Sequence, residues 1–464
     1  MIDHSSRSAA KRAHLRFLGA ADTVTGSRYL ITVGERHVLV DCGLFQGYKV
    51  LRDRNRAPFP VPPRTIDAVV VSHAHLDHSG YLPALVRDGF RGRIYATQGT
   101  TELCRIMLPD SAHLLEEEAR HAGKGKWSKH PDPEPLYSLA DASAALERFQ
   151  PVSFGAAAVV ADGVEMEFVP AGHILGAAQV RLRVHDRTIH FTGDLGRPDD
   201  PLMRPPAPLE AADVLVTEST YGDRRHDPEN PERALGDIIR RVAARGGVVL
   251  IPAFAVGRTE TVLLHLSRLR DHGAIPRLPI YINSPMAASA VDVYRRHPSE
   301  HRLDLDELDR MYRLPEVVAS VDDSKLLNLR GGPMVIISAS GMLAGGRILH
   351  HVAAYGSDRD NAIVLTGFQD GGTRGAALVR GERTLRIFGR DVPIGAEVHN
   401  LDSMSAHADA DDLIEWMKTS PVSPSAVYVT HGEPSAADTL RARIRHEVGW
   451  PARVPEHLES VEIP

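Results

Sequence analysis

Hydrophobic and polar positions change period along the chain. In the first half, short β-branched runs at 37–40, 68–71, 164–169, 180–184, 188–192 and 214–217 are bounded by glycine, proline and polar residues, which predicts strands joined by turns. From about residue 227 the period lengthens. Asn230, Pro231 and Glu232 set a capping side chain before a first-turn proline, and Leu235, Ile238, Ile239 and Val242 then form the stripe of an amphipathic helix. A strand over 248–251, a helix carrying Val262, Leu263, Leu266 and Leu269, and strands over 279–282, 334–337 and 363–366 follow in alternation, which predicts βαβ units on a mostly parallel sheet. A strand over 427–430 and a helix carrying Leu413, Trp416 and Met417 read as elements returning to the first unit. The segment 105–150 reads as a polar, helix-rich excursion with Lys124, Lys126, Trp127 and Lys129 at its centre. The expected division is a first unit over 14–226, an inserted α/β unit over 227–395, and a return to the first over 396–464.

Composition narrows the function classes. With 464 residues, 43% of them hydrophobic, the chain can bury two or three cores. Its formal charge of −6 means that a polyanion must be gripped locally rather than drawn in by the whole molecule. Cys42 and Cys104 form neither a CxxC pair nor a disulfide framework, so thiolate metal sites are excluded and a reducing, cytoplasmic compartment is expected. No secretory leader is read at the N-terminus, and the longest apolar stretch, 248–256, contains Pro252 and is too short for a membrane helix. The chain also carries 24 histidines, which matter only if they cluster.

They do cluster. Val69, Val70 and Val71 run into Ser72-His73-Ala74-His75-Leu76-Asp77-His78, an apolar strand that delivers four ligand-type side chains in six residues. In an extended chain His73 and His75 point the same way, while Asp77 and His78 lie where the chain must turn and can face a second ion. Imidazole and carboxylate without thiolate suit zinc, with manganese or iron as lesser candidates. Further candidates follow other predicted strands: Asp41, His173, Asp194 and His431. A carboxylate such as Asp194 can bridge two ions about 3.5 to 4 Å apart.

These residues resemble the metallo-β-lactamase fold, an αββα sandwich with a metal site along one edge of its sheets. Three further motifs narrow the resemblance to the nucleic-acid-processing β-CASP branch, with its inserted parallel-sheet α/β domain: Glu218-Ser219-Thr220-Tyr221-Gly222, Ser403-Met404-Ser405-Ala406-His407-Ala408-Asp409, and Thr430-His431-Gly432-Glu433. The chain is similar to bacterial and archaeal relatives of the nuclease subunit of the eukaryotic cleavage and polyadenylation specificity factor. The resemblance implies two Zn2+ ions, one on His73, His75, His173 and Asp194, the other on Asp77, His78, Asp194 and His431. It implies that Asp41 orients a ligand histidine and that Glu218 holds His407 toward the scissile phosphate. A histidine at position 431 goes with RNA-processing members, so the implied partner is single-stranded RNA, cleaved by a two-metal-activated hydroxide that Asp77 helps orient. His399, which follows another short run, is given a structural role or one of supporting a ligand.

Two glycine-rich turns after strands, 338–347 and 366–375, can present backbone N–H groups to an anion, although they serve equally as tight connections. The resemblance favours phosphate, with Ser340, Gly341, Arg347 and Arg374 as contacts and His350 and His351 as neighbours to test. The alternatives are a hydrolase of DNA or of a small-molecule ester, thioester or lactam, and a weakly catalytic RNA-binding scaffold. The chain leaves endonuclease and exonuclease action, and monomer and homodimer, open.

Overall fold

The computed structural model describes residues 13–125, 133–254, 256–284 and 287–464; Lys126, Trp127 and Lys129 of the basic segment lie outside them. Two seven-stranded sheets pack face to face, and a six-stranded sheet forms an inserted unit. One seven-stranded sheet runs in the order Ser460–Glu462, Ala13–Phe17, Tyr29–Val33, Arg36–Val40, Ala68–Val70, Arg93–Ala96, Phe149–Pro151. The other runs Ala452–Arg453, Ala426–Val429, Val214–Thr217, Arg187–Phe191, Ala178–Val184, Val164–Pro170, Ala157–Ala161.

The apolar runs are continuous where a strand is buried on both faces. Ala68 and Val70 enter the core between the sheets with Leu15, Phe17, Phe168, Val180 and Val216, whereas Val69 and Val71 pack outward with Leu82, Leu85 and Leu103 beneath helices. The second sheet repeats the scheme: Val214 and Val216 face inward, and Leu215 packs outward against Leu413, Trp416 and Leu440. Helices therefore cover both outer faces, giving the α, β, β, α layering.

A six-stranded parallel sheet forms the inserted unit, in the order Glu316–Val317, Ile280–Asn283, Met334–Ser338, Val248–Pro252, Ala362–Leu365, Glu397–Asn400. Its last strand pairs Ala362 with Glu397 through Leu365 with Asn400, so this sheet extends past the expected break at 395. The apolar cluster under the first sheet continues through Ile174 and Val256 into Val262, Leu266 and Ile337, so the two units share a core.

The expected excursion over 105–150 is corrected at both ends. Its helix, Gln98–Gly125, begins earlier and buries Leu103, Cys104, Met107 and Leu108, and strand Phe149–Pro151 belongs to the first sheet. Several strands had no uniform apolar run to announce them. In Ala13–Phe17 only alternate residues are fully buried, because His14 and Arg16 look outward. Among the described residues no helix is long and apolar enough to cross a membrane.

Glu260, in helix Arg258–Asp271 of the inserted unit, is fully buried, and neither carboxyl oxygen has a hydrogen-bond partner among the described residues. Burial pushes its pKa from the ordinary 4.5 up to about 7. The folded state therefore holds a proton that the unfolded chain releases, so wild-type stability falls as pH rises from about 4.5 through about 7. Denaturant unfolding at pH 5 and pH 8 should show Glu260→Gln gaining on wild type by on the order of 3 kcal/mol across that interval. A pH-independent difference would contradict the assignment.

Candidate metal centre

The site lies where strands end. Val164–Pro170, Arg187–Phe191, Val214–Thr217 and Ala426–Val429 run in one direction, and His173, Asp194, Glu218 and His431 follow their carboxyl ends. Across from them, Ala68–Val70 passes into an extended Ser72–His75 stretch and then a one-turn helix, Leu76–Ser79. Extension sets His73 Nε2 3.1 Å from His75 Nδ1, and the helical turn swings Asp77 and His78 toward His431.

A neighbouring loop pins that turn. Ser27 N donates to Asp77 O at 2.8 Å, Cys42 N to His78 O at 2.7 Å and Leu44 N to Leu76 O at 2.8 Å. Only glycine fits at 43, because a Cβ there would meet Asp77 O at 1.6 Å. Arg28, buried across the faces of Tyr81 and Phe45, donates twice to Gly43 O. Asp41, held at φ 57, accepts from Ser72 N at 2.7 Å and Ser72 Oγ at 2.8 Å, and its Oδ2 lies 2.7 Å from His78 Nδ1. That contact leaves His78 Nε2 facing the site.

Two donor sets meet at Asp194. His73, His75, His173 and Asp194 offer atoms within 4.8 Å of one another, as do Asp77, His78 and His431. Asp194 Oδ2 faces His73 Nε2 at 3.5 Å and His173 Nε2 at 3.7 Å, while Oδ1 faces His78 Nε2 at 3.2 Å. His75 Nδ1 faces both His73 Nε2 at 3.1 Å and His173 Nε2 at 3.3 Å, and one nitrogen cannot satisfy both as a simple hydrogen bond. In the other set His78 Nε2 and His431 Nε2 are 3.1 Å apart, and His431 Nε2 is 3.4 Å from Asp77 Oδ2. A tetrahedron with bonds of about 2.0 to 2.1 Å has edges of about 3.3 to 3.4 Å, so the spacing suits a small divalent ion in each set. Asp194 Oδ1 is buried against the ring nitrogens of His78 at 3.2 Å and His431 at 3.5 Å.

Electrostatics favour the ligating forms of His73, His75, His173 and Asp194, whereas at His78 the Asp194 and Asp41 carboxylates outweigh burial and raise the pKa. Burial, with neighbouring imidazoles, holds His73 and His173 well below the ordinary histidine range, and burial brings His75 down to about 4, so their lone pairs are free. Burial alone would raise Asp194, but His431, His78 and His73 outweigh it and keep the carboxylate ionised.

Beside the two sets stands a carboxylate–histidine couple. Glu218 is buried, accepts from Leu195 N at 2.6 Å and lies 3.1 Å from His407 Nδ1. His407 Nδ1 is also 4.0 Å from Asp194 Oδ2, and the His407 ring packs 4.4 Å from that of His173. Burial disfavours charge on His407, but the Glu218 carboxylate more than offsets this and raises its pKa.

Other candidates fall elsewhere. Arg347 is committed to Asn283 Oδ1 at 2.8 Å and to the carbonyls of Val318 and Ala319, and Arg374 to those of Arg386, Leu343 and Ala344. Both brace loops of their own unit, each with three of its five N–H donors committed to protein oxygens. His351 is buried between Asn283 and Asn328, and His350 stacks on Phe388. Ser340 Oγ accepts from Ala344 N at 3.0 Å. Gly341 packs under Phe254, whose ring is 5.9 Å from that of His75, so this turn does border the site. His399 lies 2.9 Å from Glu397 Oε2 in the inserted sheet, a structural position. Sequence reading missed Ser72, Thr220, whose Oγ1 is 3.1 Å from His431 Nδ1, and His226, whose Nε2 donates to His407 O at 2.8 Å. The first two stood inside the quoted motifs, while His226 had no local signal.

Three domain families match: the beta-lactamase superfamily domain over residues 36–246, the Beta-Casp domain over 259–378, and the Zn-dependent metallo-hydrolase RNA specificity domain over 391–455. The chain is 39% identical over 424 residues to Ribonuclease TTHA0252 of Thermus thermophilus, spanning 89% of this chain and 92% of that protein. It is 28% identical over 470 residues to Transcription termination factor FttA of Methanosarcina mazei, spanning 96% of this chain and 71% of that one. A crystal structure of a protein of unknown function from Enterococcus faecalis shares the fold, with TM-score 0.52 and 14% identity over 97% of this chain and 100% of that chain.

The shared oxygens make a distinctive metal-content pattern. By elemental analysis of the purified, folded protein, His173→Ala and His431→Ala should each lose about one of two ions, whereas Asp194→Asn should lose most of both. Equal loss in all three variants would show that the sets do not meet at Asp194.

Proposed function

The chain belongs to the β-CASP branch of the metallo-β-lactamase superfamily, and we propose that it is a zinc-dependent ribonuclease that hydrolyses phosphodiester bonds of single-stranded RNA. The observation that carries this reading is the Glu218–His407 couple set against two donor sets joined by Asp194. A hydrolase that needed only its metal ligands would not require that couple. Relatives named as a ribonuclease and as transcription termination factors, and a matching RNA specificity domain, support RNA as the substrate. We assign the inserted unit to 227–400, because its sheet closes at Asn400.

The proposed ligands are His73, His75, His173 and Asp194 for one ion and Asp77, His78, Asp194 and His431 for the other. Bound there, two divalent ions would supply a hydroxide nucleophile at neutral pH and neutralise phosphate charge. The protein does the rest. Asp77 receives a hydrogen bond that orients the attacking group in line with the phosphorus. Glu218 accepts a hydrogen bond from His407 Nδ1 and favours the imidazolium, so Nε2–H can hydrogen-bond or protonate the leaving oxygen. The backbone of Leu195 keeps the carboxylate in place.

Purified His407→Ala should retain its fold and metal while cleaving end-labelled single-stranded RNA at least about 100-fold more slowly. Glu218→Gln should fall in the same direction, and chelation should abolish wild-type cleavage. Single-stranded DNA and a chromogenic lactam, assayed in parallel, separate the rival substrates. Wild-type rates in His407→Ala, or turnover of the lactam alone, would defeat the proposal.

A further inference from the structure

Arg258 opens helix Arg258–Asp271, and none of the steps above uses it. Gly257 brings the helix start against the ligand loop: at φ 83 its missing Cβ would lie 2.6 Å from Ile174 Cγ2, and Ile174 follows His173. The guanidinium then reaches toward the other side of the site. A Cβ on Gly367 would meet Arg258 Nη2 at 3.2 Å and Ser405 Cα at 3.6 Å, and Ser405 precedes His407 by two residues. Arg258 thus stands between the segment that supplies His173 and the segment that supplies His407.

Its hydrogen bonding is anomalous. Arg347, Arg374 and Arg28 each commit three donors to carbonyls or amide oxygens. Arg258 Nε and Nη1 are shielded from solvent yet have no hydrogen-bond partner among the described residues. Asp200 and Asp402 attract it only through space, Arg197 repels it, and burial works against its charge. A shielded guanidinium with open donors is costly unless an acceptor arrives. The forked donors match a phosphate, and the helix N-terminus adds positive potential in the same direction.

We propose that Arg258 binds a backbone phosphate of the RNA strand where it passes His407. This rests on the nuclease reading above. Gly367 is part of the device, since any side chain there would press on the guanidinium.

Binding is measured in a His407→Ala background by fluorescence anisotropy, with a labelled single-stranded RNA and the matching DNA across a salt series. Adding Arg258→Gln should weaken RNA binding roughly tenfold or more and reduce the salt slope by about one. Arg258→Lys should keep the slope and recover part of the affinity. The melting temperature of Arg258→Gln should stay level or rise, because a shielded, unpaired charge is removed. Unchanged affinity and slope in folded Arg258→Gln, or weakened affinity with an unchanged slope, would overturn the inference. If the chain binds and cleaves DNA instead, with the same Arg258 dependence, the phosphate role stands and the RNA assignment falls. A wild-type chain that binds no nucleic acid would remove both.

Discussion

A carboxylate as deeply buried as Asp194 stays ionised only if its surroundings compensate, and five imidazoles, those of His73, His78, His173, His407 and His431, lie within 4.0 Å of it. Everything around the site serves that meeting. Its two oxygens face different histidine sets, so one residue at one strand end decides where both sets converge. The strand order supplies the convergence, because parallel neighbours end on the same edge. Asp41 and Ser72 then hold Nδ1 of His78 and His73, which leaves their Nε2 atoms turned to the centre, and Thr220 steadies the His431 ring at Nδ1.

The second constraint is the joint between units. The apolar core that supports His73 continues through Ile174 into the helix begun by Arg258. An isolated bridge pairs Gly196 with His407, tying the His407 segment to the loop after Asp194. Arg197 donates to Ser403 O at 2.6 Å and holds that segment from the other side. The inserted unit is therefore docked on the residues it serves, and a nucleic acid reaching the donor sets passes residues of both units.

Much of this was legible in order along the chain. Val69 to Val71 predicted a strand buried on both faces, and the spacing of His73 and His75 predicted a shared direction; both follow from local geometry. The resemblance placed Glu218 beside His407, a contact between residues 189 apart that no local period could show. The alternating strand Ala13–Phe17 carries no uniform apolar run, because two of its five positions are not fully buried. The last strand of the inserted sheet, Glu397–Asn400, is polar and short, and only its pairing with Ala362–Leu365 makes it a strand of that unit.

By itself the sequence determined which side chains can bind metal and that they follow strands, because strand periodicity and residue chemistry are properties of neighbours. Only the tertiary structure decided what the donors of each arginine meet. Arg347, Arg374 and Arg258 look alike in sequence, each next to a glycine at the start of a helix. The first two donate to carbonyls brought to them by other strands and loops. Arg258 Nε and Nη1 meet no acceptor among the described residues. Hydrogen-bond satisfaction depends on distant backbone, and that is settled only when the chain has folded.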